Sequence, residues 1–237
     1  MGQFDEAESG IKVLDRAALI LNVIADKPLS LAQLCEKTSL PRATAHRLAC
    51  ALEVHGFLSR TTDGRWDIGA GITSLAARGS DSLIDAASPV MTAVMEETGE
   101  SVQLYKLTGL MRTCVASFEP PSGLQNTVPV GSRMPLSAGS SGKIFLAYGP
   151  QSLRDAIAPQ AVFTMNELDN VRRLGFAESV GEREPGLASV SVPIHDPAGN
   201  FLAALSVSGP VERLRPHPGA LWGDMLKAAS QRLTASL

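Results

Sequence analysis

The sequence predicts an α+β chain in two parts: an N-terminal winged helix-turn-helix, then a linker helix and a C-terminal domain built on an antiparallel sheet. Three observations carry this reading. Between Ile11 and Gly56 apolar residues recur at steps of three and four in three short blocks, the mark of small amphipathic helices. Two alternating runs, 57–60 and 65–68, follow and are joined by Thr61-Thr62-Asp63-Gly64, a strong hairpin signal. Beyond residue 80, helical stretches are interspersed with strands joined by tight turns, as in helices packed on an antiparallel sheet. The expected boundaries are a disordered polar tail at 1–10, the helix-turn-helix at 11–70, a linker at 71–82 and the C-terminal domain at 83–237.

Each element has a local reason. The first helix shows an apolar stripe at Ile11, Leu14, Ala18, Leu21 and Ala25, and Lys27-Pro28 ends it. Ser30 is placed to cap a second helix with Leu31, Leu34 and Cys35 inward. Thr38-Ser39-Leu40 makes the turn, and Pro41 suits the first turn of a third helix whose Ala45, Leu48, Ala49 and Leu52 face the core. Gly56 closes that helix, and Trp66 is expected as core beneath the wing. Residues 72–78 form a helical connector between glycines.

In the C-terminal part a helix is expected at 83–98, stopped by Gly99, then strands at 101–107 and 112–118 about a Gly109 turn. A short strand at 128–130 and a helix at 138–148 capped by Ser137 follow, then helices at 152–157 and 166–174. A long hairpin comes next, with arms 187–195 and 201–208 about Pro197-Ala198-Gly199-Asn200, and a closing helix runs over 218–237.

Composition excludes several classes. The 237 residues are 44% hydrophobic and 19% charged, enough apolar content for packed cores and unlike a disordered chain. A net charge of −3 gives no bulk positive field, and 5% aromatics argue against a single-strand stacking platform. Three cysteines, Cys35, Cys50 and Cys114, show no zinc spacing and suit a reducing compartment. The acidic first ten residues are no signal peptide, and no apolar run reaches the roughly 20 residues a bilayer requires. The expectation is a soluble cytoplasmic protein without membrane contact, and no metal or cofactor is indicated.

The third helix carries the clearest chemistry. Arg42, Ala43, Thr44, His46 and Arg47 sit at its start, away from its apolar face, and Arg65 stands on the wing. Small and hydrogen-bonding side chains beside arginines fit a helix end approaching base edges in the major groove of duplex DNA. An arginine fork pairs with guanine and a threonine methyl touches thymine, while Arg65 would meet phosphate or the minor groove. Residues 41–66 carry +2 against −5 for the remainder, so positive charge is concentrated at the expected contact. The bland alternative, arginines solvating a helix and hairpin surface, is outweighed by their coincidence with the winged pattern.

Two other stretches invite chemical readings. Ser137 to Lys143 lacks the outer residues of a phosphate loop, and its Ser140-x-x-Lys143 lacks the partner motifs of a serine acylase. A helix N-terminus suited to a small carboxylate and simple serine capping both fit it. Glu182, Glu184 and His195 invite an acid/base reading, but His195 flanks a turn and no nucleophile with a positioned base can be assembled. Catalysis is disfavoured. The competing enzyme reading would use Ser140 and Lys143 for acyl transfer or hydrolysis, with an ancillary helix-turn-helix.

Taken together these segments resemble the IclR family of bacterial transcription regulators over nearly the whole chain. The likeness rests on Val13-Leu14-Asp15-Arg16, Leu29-Ser30-Leu31 and the run Leu40 to Leu48 in the first part. In the second it rests on Val130 to Leu136, Ser141-Gly142-Lys143, the block Gly175 to Asp196 and Ala204 to Pro210. The resemblance implies a GAF-like effector-binding domain, a small metabolite such as an organic or aromatic acid as effector, and dimers or dimers of dimers (tetramers) on a palindromic operator. By position it implies a pocket lined by Ser140, Ser141, Ser179, Leu187, Ser189, Ser206 and Ser208. Leu187/Ser189 and Ser206/Ser208 alternate along two hairpin arms, so each pair shares a sheet face. Those hydroxyls either receive a polar ligand or satisfy backbone groups in a tight sheet. Family members commonly carry His, Asp and Cys where this chain has Ser137, Ser179 and Ser189. Hydrogen bonding rather than ion pairing to the effector is the expectation that follows.

Overall fold

The structure, a computed structural model, describes residues 9–25, 27–78 and 81–237, which form two compact units, one up to residue 80 and one from Asp81. Most of the tail expected to be disordered lies outside the described residues, as do residues 79 and 80 of the expected linker. Ser9, at the tail's end, donates from its amide and hydroxyl to Asp15 Oδ1.

The first unit comprises α1 (Lys12–Ile24), α2 (Leu31–Thr38), α3 (Arg42–Val54), the strands β1 (Leu58–Arg60) and β2 (Trp66–Ile68), and α4 (Ala70–Arg78). Ser30 caps α2 through a reciprocal box with Gln33, and Ser39, in the left-handed region at φ 55°, turns the chain into α3. The core holds Ile20, Ile24, Leu34, Ala45, Ala49, Leu52, Leu58 and Trp66. Trp66 is fully enclosed and exchanges backbone hydrogen bonds with Leu29, tying the hairpin to the segment before α2. The close approach of hairpin and helix end demands glycine: a Cβ on Gly69 would lie 2.2 Å from Gly56 O.

The stripe expected on α1 is out of phase. Ile20 and Ile24 are buried with Ala17 and Leu21 beside them, whereas Ile11 and Leu14 are more than half exposed. The apolar residues of the first turn project beyond the reach of α2 and α3, so they misplace the stripe that the sequence suggests.

The second unit is a six-stranded antiparallel sheet in the order β5-β4-β3-β8-β7-β6. The strands are β3 (Ser101–Thr108), β4 (Met111–Phe118), β5 (Arg133–Pro135), β6 (Ala177–Val180), β7 (Leu187–His195) and β8 (Phe201–Pro210). One face packs on α5 (Ser82–Thr98) and α10 (Pro218–Ala235). The other face is covered by α6 (Ser140–Tyr148), with α7 (Gln151–Ile157) and α8 (Met165–Leu174) alongside it. A short α9 (Val211–Leu214) leads into α10.

The two faces differ in chemistry because side chains alternate along a strand. Val102, Leu104, Val190, Val192, Leu205 and Val207 enter the α5/α10 core. Their alternating neighbours Gln103, Ser189, Ser191, Ser206 and Ser208 point the other way, towards α6. On β4 the alternation is interrupted: the register with β3 slips between Leu104 and Tyr105, so that Cys114 pairs with Tyr105 and Ala116 with Leu104. Ala116 therefore joins the α5/α10 core while Cys114 joins the opposite one. Arg112, two residues before Cys114, is carried to the α6 side by this bulge.

The α+β class, with a helix-turn-helix preceding the sheet domain, is as the sequence predicts. Local expectations differ in four places of this unit. No strand forms at 128–130; instead Gly131, at φ 90°, turns the chain so that 133–135 pairs with β4. The helix expected from residue 138 begins at Ser140 with Gly139 as its cap, because the Ala138 carbonyl is held outside the helix by Arg112 Nη1 at 2.9 Å. Ser137 therefore caps nothing. The edge strand β6 and the short α9 have no counterpart in the sequence reading.

Candidate functional site

In the first unit, α3 presents its first two turns to solvent. Arg42, Ala43, His46 and Arg47 are exposed and Thr44 is half-buried, while Ala45 and Ala49 on the opposite side anchor the helix. Among the described residues neither Arg42 nor Arg47 is ion-paired, so both guanidinium groups are available to an external anion. Arg65 is exposed on the wing, 2.9 Å from Asp63. Arg60 differs: it stacks 3.5 Å over the Trp66 ring, donates to Gly64 O and lies 3.8 Å from Glu53. It braces the wing. The His46 ring lies 3.7 Å from Cys50 Sγ.

In the second unit, the polar face of the sheet and the start of α6 enclose a narrow cavity of about 30 Å³. The structure brings Ser140 and Ser141 of α6, Ser179 of β6, Leu187 and Ser189 of β7, and Ser206 and Ser208 of β8 to its wall. Gly139, at the helix start that the sequence reading fits to a small carboxylate, also lines it, and the sequence reading missed Tyr105, Arg112, Asn126, Arg183 and Ala188. For Arg112 the missing signal is the bulge, which reverses the face that simple alternation from Ala116 would assign.

The serines form a connected chain. Ser140 Oγ lies 2.6 Å from Ser189 Oγ and 2.7 Å from Ser191 Oγ, and Ser191 Oγ donates to Ser206 Oγ at 2.9 Å. Four hydroxyl protons serve three such contacts, which leaves one donor for a further acceptor. A second network runs from Asn126 Nδ2 to Ser208 Oγ and on to Gln103 Oε1, both at 2.8 Å. The side chains thus satisfy one another more than they satisfy backbone groups.

At the other wall Arg112 is 2% exposed. Its Nη1 donates to Pro135 O and Ala138 O, and its Nε is buried without a partner. Burial disfavours the charged form and pulls its pKa down to about 10, although the nearby Tyr105 phenol opposes this. Burial likewise raises the Tyr105 phenol and pushes the Cys114 thiol up to about 12, so both stay neutral. Glu182 helps hold the Arg112 charge through space but shares no hydrogen bond with it: its Oε1 meets Lys143 Nζ at 2.5 Å and its Oε2 accepts from the Gly139 amide at 3.0 Å. At the helix N-terminus that the sequence fits to a small carboxylate, the Gly139 amide is therefore taken by Glu182.

The enzyme readings find no geometry. Lys143 Nζ is directed to Glu182, to Glu178 O at 3.0 Å and to Glu167 at 3.5 Å, and none of its contacts goes to Ser140. Among the described residues the Ser140 hydroxyl has only serine partners in hydrogen-bond reach. His195 packs against Tyr148 and Phe201 at the far end of β7, about 26 Å of strand from the Glu182 loop. Among the described residues no cluster of His, Cys, Asp and Glu is arranged to hold a metal, and no helix is long and apolar enough to cross a membrane.

Comparison with known proteins agrees with both units. The family model "Bacterial transcriptional regulator IclR C-terminal" matches residues 76–235, and the model "IclR helix-turn-helix domain" matches residues 13–62. The chain is 28% identical to the HTH-type transcriptional regulator BhcR of Paracoccus denitrificans, over 97% of this chain and 88% of that protein. It is 25% identical to the HTH-type transcriptional repressor AllR of Escherichia coli K12, over 98% and 92%. A solved IclR homolog from Microbacterium hydrocarbonoxydans, complexed with 4-hydroxybenzoate, superposes with a TM-score of 0.78 at 25% identity, covering 95% of this chain and 98% of that one.

Proposed function

Since the chain belongs to the IclR family of bacterial transcriptional regulators and is a DNA-binding regulator rather than an enzyme, we propose that it is switched by a small organic or aromatic acid. The observation that carries the reading is a polar cavity between the sheet and α6, lined by hydroxyls that face one another. Burying so many polar groups is costly unless they serve an occupant or one another, and the spare hydroxyl donor leaves room for a ligand acceptor. Ser140, Ser141, Ser179, Leu187, Ser189, Ser206 and Ser208 form the effector site in this reading. The bound 4-hydroxybenzoate of the Microbacterium relative supports an aromatic acid as one class of effector.

The DNA partner is a palindromic duplex operator. Arg42, Ala43, Thr44, His46 and Arg47 enter the major groove and Arg65 touches the backbone or minor groove. Exposed apolar Ile11, Val13 and Leu14 at the start of α1 supply a surface for self-association into a dimer or tetramer, as two half-sites require. The domain arrangement we adopt is helix-turn-helix at 11–70, linker at 71–82 and GAF-like effector domain at 83–237, working in the cytoplasm without membrane contact. Effector changes operator affinity only so far as it binds two arrangements of the protein unequally.

Ser189→Leu tests the pocket, since a leucine there fills the cavity and removes one end of the hydroxyl chain. Organic acids that raise the melting temperature of the wild-type protein are expected to lose that effect in the variant. Undiminished stabilisation in Ser189→Leu would place the ligand elsewhere.

A further inference from the structure

Arg112 is a buried cation that the protein itself leaves half-used. Of its donors only Nη1 is hydrogen-bonded, to two carbonyls of the segment before α6. Among the described residues Nε has no partner and Nη2 makes no hydrogen bond. The unpaired edge is thus Nε with Nη2, the side of a guanidinium that forms two parallel bonds to a carboxylate. Gly139 keeps that edge uncrowded: a Cβ there would sit 3.2 Å from Nη2.

The charge has no full counterion. The Tyr105 ring, 5.7 Å away, offers only a weak cation–π contact. Both oxygens of Glu182 are engaged by Lys143 and the Gly139 amide. Arg183, which also lines the cavity, adds positive charge to the same wall and itself lies 3.5 Å from Glu184. An isolated buried cation is costly, and a ligand anion relieves that cost only while it is bound.

Resting on the effector-pocket reading above, we propose that Arg112 is the carboxylate anchor of the pocket and sets its preference for acids over neutral analogues. The ligand's carboxylate lies along the Nε/Nη2 edge, and its remaining oxygen or carbonyl group reaches the serine chain across the cavity. The expected class is a small carboxylate bearing a hydrogen-bonding group, such as a hydroxy or oxo acid. Ion pairing therefore joins the hydrogen bonding that the serine-rich lining alone suggests.

The test uses the full chain with benzoate, 4-hydroxybenzoate and pyruvate beside benzamide, 4-hydroxybenzamide and pyruvamide, read by thermal shift and calorimetry. At least one acid is expected to bind, with its amide about tenfold weaker or worse on the wild-type protein. Arg112→Lys keeps the charge and loses the fork, so it is expected to weaken that acid about tenfold or more with the far-UV circular dichroism retained. Should Arg112→Lys not fold, the acid–amide pairs on wild-type protein decide alone. Equal binding of acid and amide, or full acid binding by a folded Arg112→Lys, overturns the anchor. If Ser189→Leu still abolishes binding in that case, the pocket reading survives it. Absence of binding by every acid, or binding indifferent to both variants, overturns the two together.

Discussion

Replacing Arg47 by alanine separates recognition from folding. The side chain is exposed and makes no ion pair or side-chain hydrogen bond among the described residues, so its loss removes none. Stability should move by no more than about 0.5 kcal/mol. If Arg47 pairs with a base edge, its removal costs about 1–3 kcal/mol of operator binding, a Kd increase of roughly 5- to 150-fold. If it meets phosphate, affinity falls more evenly across sequences and the salt slope drops by about 1. Arg42→Ala is expected to behave alike. Arg60→Ala is the counter-case, because Arg60 gives up a stacked Trp66, the Gly64 carbonyl and Glu53 together. Its cost falls on stability, about 1–3 kcal/mol when modest contributions from the three contacts are combined. The assay is fluorescence anisotropy on an operator selected from random duplexes, at two salt concentrations, beside urea unfolding of each variant. Unchanged operator affinity in both Arg42→Ala and Arg47→Ala would refute the assignment of α3 as the reading helix.

Three further outcomes follow from the same contacts. Gly69→Ala should lose about 3 kcal/mol or more, seen as a lower urea midpoint, since its Cβ meets Gly56 backbone that cannot move aside; a midpoint equal to wild type would contradict the packing. Leu14→Glu should weaken self-association in sedimentation velocity without lowering the helix content, and an unchanged sedimentation coefficient would remove α1 from the interface. Burial lowers the His195 pKa below its ordinary 6.5, so the unfolded chain takes up the proton first. That contribution to stability is present above pH 6.5 and is lost as pH falls through the lower folded value. The melting temperature of wild type should therefore decline more steeply below pH 6.5 than that of His195→Gln; parallel curves would show that His195 is not desolvated.

Most of the architecture could be read from local signals because those signals are themselves local. Thr61 to Gly64 specifies its hairpin, Ser30 with Gln33 specifies its cap, and the dyad period of β7 and β8 tells which residues share a face. The serine wall of the cavity came instead from the family resemblance, and the strand period added only that Leu187/Ser189 and Ser206/Ser208 each share a face. What escaped depends on partners distant in sequence. The β4 bulge that turns Arg112 inward is set by pairing with β3, and Gly139 replaces Ser137 as the helix cap because Arg112 holds a carbonyl before it. The stripe on α1 was misphased because its first turn carries apolar residues that the core does not use. Net charge was the least informative quantity. A value of −3 averages a +2 recognition segment with an acidic remainder.

The central claim, that an acid in the second unit controls DNA contact by the first, is tested most directly by linkage. Operator affinity of the full chain is measured by anisotropy with and without an acid that stabilises it, for wild type and for Ser189→Leu. The account expects the acid to change the wild-type Kd by about 5- to 150-fold, the usual range of allosteric coupling, and to leave the variant's Kd unmoved. An acid that binds the cavity yet leaves wild-type operator affinity unchanged would contradict it.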